Sequence, residues 1–216
     1  MSVKKYRMLC VLGRLLGGRR FTEMMAQEIN SFDNIEPVYL YIDNEDFVRY
    51  PAPSWVRRSQ SAEMVAVVKN KYQATVKEQD FDMLIFQGYE ATLAFGELIK
   101  NIPTAVRHDV TPLLMHKMIA ADTNAVSQKL RSWIAPRLSQ RMYRNVFRHV
   151  DIFLPISNWC SESLIKDYGV LKENIQRLYL GVDLSKWHYK EKVAHKGKFH
   201  LLFVGNSFER KGGGLL

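Results

Sequence analysis

YRMLCVLGRLLGGRRFTEMMAQEIN, residues 6–30, falls into three parts whose order decides the fold. Tyr6–Leu12 is an almost unbroken apolar run, suited to a strand buried on both faces, which is the habit of parallel sheets. GRLLGGRR, residues 13–20, is a glycine-rich basic loop, and Phe21–Ile29 has helical spacing. The same unit then recurs along the chain. Strands are predicted at Pro37–Ile42, Asp82–Phe86, Thr104–Arg107, Ile152–Ile156 and Ile175–Leu180, with helices at Ala62–Lys77, Ala91–Lys100 and Ser161–Asp167, and a long helical stretch before Ile152. Strands alternating with helices at this spacing argue for right-handed βαβ units and an α/β, doubly wound parallel sheet.

Composition agrees with a packed globular chain. Of 216 residues, 47% are hydrophobic and 12% aromatic, enough for a core. Cys10 and Cys160 are too few for a disulfide scaffold and lack the clustering of a zinc site, so no metal is expected and the compartment reads as reducing. Met8–Leu12 is shorter than a signal-peptide core, and no run approaches the roughly 18 apolar residues of a membrane span. These features give a cytoplasmic expectation. The net charge of +9 calls for an anionic partner: nucleic acid, a membrane surface or a phosphorylated ligand.

In such sheets ligands bind beyond the carboxyl ends of the strands. The first loop places Gly13, Gly17 and Gly18 beside Arg14, Arg19 and Arg20, directly before a helix. Amides at a helix start, bare glycines and guanidinium groups suit a phosphate, although the spacing is not that of a dinucleotide fingerprint and a solvated surface turn has the same composition. His108-Asp109 closes another strand. The pair either contacts a sugar hydroxyl and orients a proton acceptor, or makes a structural hydrogen bond and caps the next helix. Arg137, Arg141, Arg144 and Arg148 recur at helical steps of four, three and four, close to Trp133, Ile134, Leu138 and Met142, with Pro136 expected in the first turn of their helix. That stripe is suited to an anionic bilayer, and equally to a solvated face packed through its apolar side. Nucleic acid is not expected, because neither a helix-turn-helix signature nor an RNA-binding aromatic motif accompanies the charge.

Residues 149–187, HVDIFLPISNWCSESLIKDYGVLKENIQRLYLGVDLSKW, carry a resemblance. A strand ending in Ser157, a helix leading to Tyr168-Gly169-Val170, and Gly181-Val182-Asp183 shortly before Trp187 resemble the close of the N-terminal domain in the GT-B glycosyltransferases of family four, a retaining family. FHLLFVGNSFERKGGGLL, residues 199–216, resembles the opening strand and loop of that family's C-terminal domain, with Phe203–Gly205 and Arg210–Gly212 in its motif positions. His108-Asp109 and the Gly17-Gly18 loop match in position and type.

The resemblance implies a Rossmann-like N-terminal, acceptor-side domain at 1–187, a charged linker at 188–198, and at 199–216 the start of a truncated second Rossmann-like domain that binds the donor. It implies transfer of a sugar, with retention, from a nucleotide-sugar to a lipid-linked or polysaccharide acceptor, without a metal or other cofactor. Gly17, Gly18 and Gly205 would approach the donor phosphates, Arg210 and Lys211 would neutralise the departing diphosphate, and His108, with Asp109, would sit near the transferred sugar. Prepositioned cations and N–H donors suit a leaving group whose charge grows in the transition state. The family's glutamate pair, spaced by seven residues, is absent, so this chain by itself is expected to be inactive. The alternative is a non-catalytic module that binds an anionic ligand or, peripherally, the inner membrane face.

Overall fold

The computed structural model describes residues 4–15, 18–56, 60–76, 80–121, 126–182, 184–189, 191, 197, 201–205, 208 and 211–215, leaving the side chains of 60, 119–121 and 126–136 aside. It is a Rossmann-like α/β fold. Strands β1 (Tyr6–Gly13), β2 (Ile35–Ile42), β3 (Met83–Gln87), β4 (Thr104–His108) and β5 (Ile152–Pro155) form one sheet in the order β2-β1-β3-β4-β5, every pair parallel. Helices are α1 (Arg19–Asn30), α2 (Asp46–Arg49), α3 (Gln60–Thr75), α4 (Gly96–Ile99), α5 (Pro112–Ala121), α6 (Val126–Phe147) and α7 (Asn158–Tyr168).

β1 explains why this sheet is covered on both sides. Leu9 and Val11 join a large core with Leu40, Leu84, Phe86, Val106 and the buried side chains of α3, α6 and α7. Met8, Cys10 and Leu12, on the opposite face, pack with Ile29 and Met25 of α1. Alternate side chains of a strand point to opposite faces, so a run that is apolar at every position needs a layer above and below it. Each fully buried Leu, Val or Phe contributes roughly 1.5–3 kcal/mol. Cys10 is a core residue whose thiol pKa burial pushes up to about 12, and Cys160 is likewise buried, neutral and free.

Four predicted elements differ. Ala91–Lys100 is a 3-10 helix over Glu90–Phe95 followed by the short α4, because the chain turns at Phe95 (φ −115°) and the Thr92 hydroxyl bonds the Tyr89 carbonyl. The helix expected to begin at Pro136 runs on through it from Val126, forgoing the hydrogen bond that proline cannot donate. Ile175–Leu180 is a frayed edge: Gln176 and Leu178 donate to Phe153 and Pro155 of β5, yet only one bridge forms. Phe199–Val204 is not a strand over its described residues. Leu201–Val204 find no strand to pair with, and Leu202 is 88% exposed.

α7 carries its caps in the residues that bear the resemblance. The Ser157 hydroxyl accepts from the Cys160 N–H, and Gly169 closes the helix at φ 72°. Among the described residues no helix is long and apolar enough to cross a membrane.

Candidate functional site

The strand order reverses between β1 and β3, and the crevice above that switch point is where doubly wound sheets take ligands. The loop after β1 and the start of α1 form one wall. Gly18 is the residue before the helix, no side chain caps it, and no acid lies in the first turn. Its first backbone bond is Thr22 N–H to the Gly18 carbonyl, so the amides of Arg19, Arg20 and Phe21 have no partner within the helix. Together with Arg19 and Arg20 they form a positive terminus. A side chain at Gly18 would press on the Leu15 and Gly13 carbonyl oxygens, at 3.1 and 3.2 Å from the Cβ. Only glycine fits this approach without a shift.

Thr22 fixes that helix to the switch point. Its buried hydroxyl lies 2.8 Å from the Gly13 carbonyl at the end of β1 and 2.7 Å from the Gln87 side-chain amide at the end of β3. One hydroxyl has one hydrogen, so it donates to one of these two oxygens at a time, the Gly13 carbonyl or the Gln87 Oε1. Arg14 pairs with Asp43 at 2.7 Å and lies over the Tyr41 ring, tying the β1 and β2 loops together.

The far wall is Gly88–Glu90 and Arg107–Asp109. Gly88 sits at φ 91°, so the loop needs glycine for its conformation, and a Cβ there would displace the Glu90 carboxylate, whose nearer oxygen would be 2.7 Å away. Burial raises the Glu90 pKa, its own backbone N–H lowers it, the Asp109 carboxylate raises it, and the backbone at Tyr89 lowers it slightly. Asp109 itself is exposed. It does not cap the next helix. That place belongs to Thr111, whose hydroxyl accepts from Leu114 N–H and meets Ser163 of α7.

His108 is 0% exposed, beneath the crevice floor rather than in it. It stacks on Tyr89 and Phe153 and meets the edge of Phe147, with centroids 6.1, 5.5 and 5.4 Å away. Neither ring nitrogen has a hydrogen-bond partner among the described residues. Burial pushes its pKa down to about 3; an interaction with the Val110 backbone, short of hydrogen-bond geometry, acts the other way, and Arg107 lowers it further. The imidazole is therefore neutral at ordinary pH.

The remaining nominated residues divide. Gly17, Arg210 and Asp183 lie outside the described residues. A Cβ on Gly205 would lie 3.4 Å from the Lys211 side chain, so these two are neighbours, and the Gly213 N–H closes the turn on the Phe208 carbonyl. Among the described residues no hydrogen bond or ion pair joins 201–215 to the sheet or to Gly18. Arg137, Arg141 and Arg144 on α6, and Arg148 just past its end, are all exposed. Arg144 and Arg148 make side-chain hydrogen bonds: the Arg148 Nε donates to His149 Nε2 at 3.1 Å, and the Arg144 Nε and the Gln140 amide both donate to the Asp167 carbonyl near the end of α7, at 2.7 Å each. Among the described residues no three His, Cys, Asp or Glu side chains gather as a metal site.

Sequence reading missed Thr22, Glu90 and Arg107. Only Arg107 left a signal, a cation inside the buried strand TAVRH.

No protein-family profile and no curated protein matches this chain. Among solved structures, it is similar to the crystal structure of UDP-N-acetylglucosamine 2-epimerase, with a TM-score of 0.46 and 14% identity over 80% of this chain and 47% of that one. The chain thus spans under half the length of that structure.

Proposed function

We propose that residues 1–187 are the acceptor-side domain of a retaining glycosyltransferase that takes a nucleotide-sugar, with a glycan or lipid-linked acceptor, and that 199–216 belong to its donor-binding domain. One observation carries this reading: the start of α1, uncapped by any side chain, lacks acids in its first turn and stands at the sheet's switch point. A diphosphate placed there accepts from the free amides, with Gly17 and Gly18 permitting its approach. The residue-level resemblance over 149–216 supports the sugar chemistry. Asp109, exposed at the rim, is suited to receive an acceptor hydroxyl; His108, sealed beneath the floor as a neutral imidazole, supports the strand end that carries Asp109 and does not touch the sugar; and Arg210 and Lys211 meet the diphosphate from the second domain.

Arg20→Glu tests the reading and separates binding from folding. An acid in the first turn favours the helix by about 0.3–1 kcal/mol but repels a bound anion. Calorimetric titration with UDP, GDP and ADP is expected to find one that binds, with affinity falling about ten-fold in the variant while stability holds or rises. Unchanged affinity for that nucleotide contradicts the reading.

A second reading, compatible with the first, comes from α6. Leu138 and Met142 are 60% and 54% exposed among Arg137, Arg141 and Arg148. An apolar pair framed by cations suits an anionic leaflet, at about 1 kcal/mol per cation. Changing those three arginines to glutamine is expected to lower binding to phosphatidylserine vesicles roughly hundred-fold. Equal binding to purely zwitterionic vesicles overturns this reading.

A further inference from the structure

We propose that Arg107 is the side-chain cation of a phosphate subsite at the start of α1, reaching it from β4 across the end of β3. This rests on the crevice being an anion site, as proposed above, but assigns the subsite to a residue that neither the glycine loop nor the resemblance points to.

Three observations converge. First, Arg107 is only 6% exposed, and its guanidinium carbon lies 4.1 Å from the centre of the Phe21 ring, in the first turn of α1. β4 and β1 are separated by β3, about 10 Å apart at ordinary strand spacing, a gap that the Arg107 and Phe21 side chains close from its two sides. His108, next in the strand, points to the opposite face, so alternation directs Arg107 toward α1. Gly88 N–H donates to the Arg107 carbonyl at 2.9 Å, fixing the backbone from which the side chain starts.

Second, the charge has no partner. Arg7 pairs with Glu36 and Arg14 with Asp43, but among the described residues no carboxylate forms an ion pair with Arg107, and its buried Nε bonds nothing. A guanidinium does not shed its proton in proteins. A buried, unpaired cation is costly, and persists where something else supplies the opposite charge. Asp109 contributes at a distance only.

Third, what lies beside the guanidinium is the uncapped end of α1, which offers amides without a helical partner and no acid in its first turn, Glu23 of the next turn being paired with Arg19. A phosphate there would accept from both the amides and the guanidinium fork. The guanidinium lies over the Phe21 ring of that first turn, which keeps it beside the helix start.

The test titrates the full chain with inorganic pyrophosphate, and separately with UDP and GDP, following the Arg107 Nε–Hε resonance by NMR and affinity by calorimetry. Pyrophosphate is expected to shift that resonance, and Arg107→Gln to weaken its binding about ten- to hundred-fold, with Arg107→Lys in between. Lys166→Gln, which removes one charge on the outer face of α7, is expected to stay within about two-fold. An Nε–Hε resonance that does not move in the wild type overturns the proposal, even if Arg107→Gln fails to fold. So does a folded Arg107→Gln that binds pyrophosphate as the wild type does. Arg107-dependent pyrophosphate binding without nucleotide binding upholds the subsite and removes the nucleotide reading; nucleotide binding indifferent to Arg107 does the reverse.

Discussion

His108→Phe is expected to abolish much of the protein's loss of stability in mild acid. The imidazole pKa is about 3 in the folded chain and 6.5 as an ordinary histidine. Between those values the unfolded chain holds a proton that the native chain refuses. Stability from His108 is therefore fully present above pH 6.5 and falls as pH drops toward 3, with a slope approaching 1.4 kcal/mol per pH unit. Between pH 6.5 and 4.5 the loss is roughly 2–3 kcal/mol, a large part of the 5–15 kcal/mol that holds a domain together. Phenylalanine suits a box made by Tyr89, Phe147 and Phe153 and has nothing to protonate. Other titrating groups, including His116 with its burial-lowered pKa, are common to both proteins and cancel in the difference. Urea midpoints at half-unit pH steps measure the effect. Parallel curves for wild type and variant would show that His108 is not the neutral, sealed group described above.

Phe147→Ala is the substitution with the largest expected cost, about 3–5 kcal/mol. Phe147 is fully buried near the end of α6 and touches four rings: His108, Phe153, Tyr143 and Tyr168, with centroids 5.1 to 5.6 Å away. Removing it opens a void where α6, α7 and the β4–β5 ladder meet, and the surrounding rigid rings cannot collapse into it. Water admitted there solvates the imidazole. The acid sensitivity of Phe147→Ala should consequently be weaker than that of the wild type, which links the two expectations through one cluster. A cost below about 1 kcal/mol in urea unfolding is incompatible with that packing.

The parts of the fold that were legible in the sequence are those whose physics is local. β1, β3 and β5 are apolar at most successive positions because helices cover both faces, and that pattern survives in one dimension. Leu201–Val204 has the same pattern but, among the described residues, no neighbouring strand, since an apolar run records a preference for burial and not the partner that supplies it. The helix through Pro136 is anchored in the core by Tyr143 and Phe147, which a breaker residue conceals. At the site, Gly18 was legible because glycine before a basic helix start has a distinct backbone meaning. Thr22 looks like any small polar residue in a helix; its importance lies in meeting both Gly13 and Gln87, the latter 65 positions from Thr22 in the chain. His108 was visible as chemistry but not as a residue facing the aromatic side of the sheet, because the face a strand-end residue takes depends on register.

The central claim is that the crevice above the β1/β3 switch point binds a phosphate-bearing ligand. The most direct measurement follows backbone amide shifts of the wild-type chain as the best-binding nucleoside diphosphate is titrated in. The account predicts that the largest shifts fall on the Arg19, Arg20 and Phe21 amides and on Gly88. Shifts confined to α6, or saturation of the chain with those amides unmoved, would contradict it.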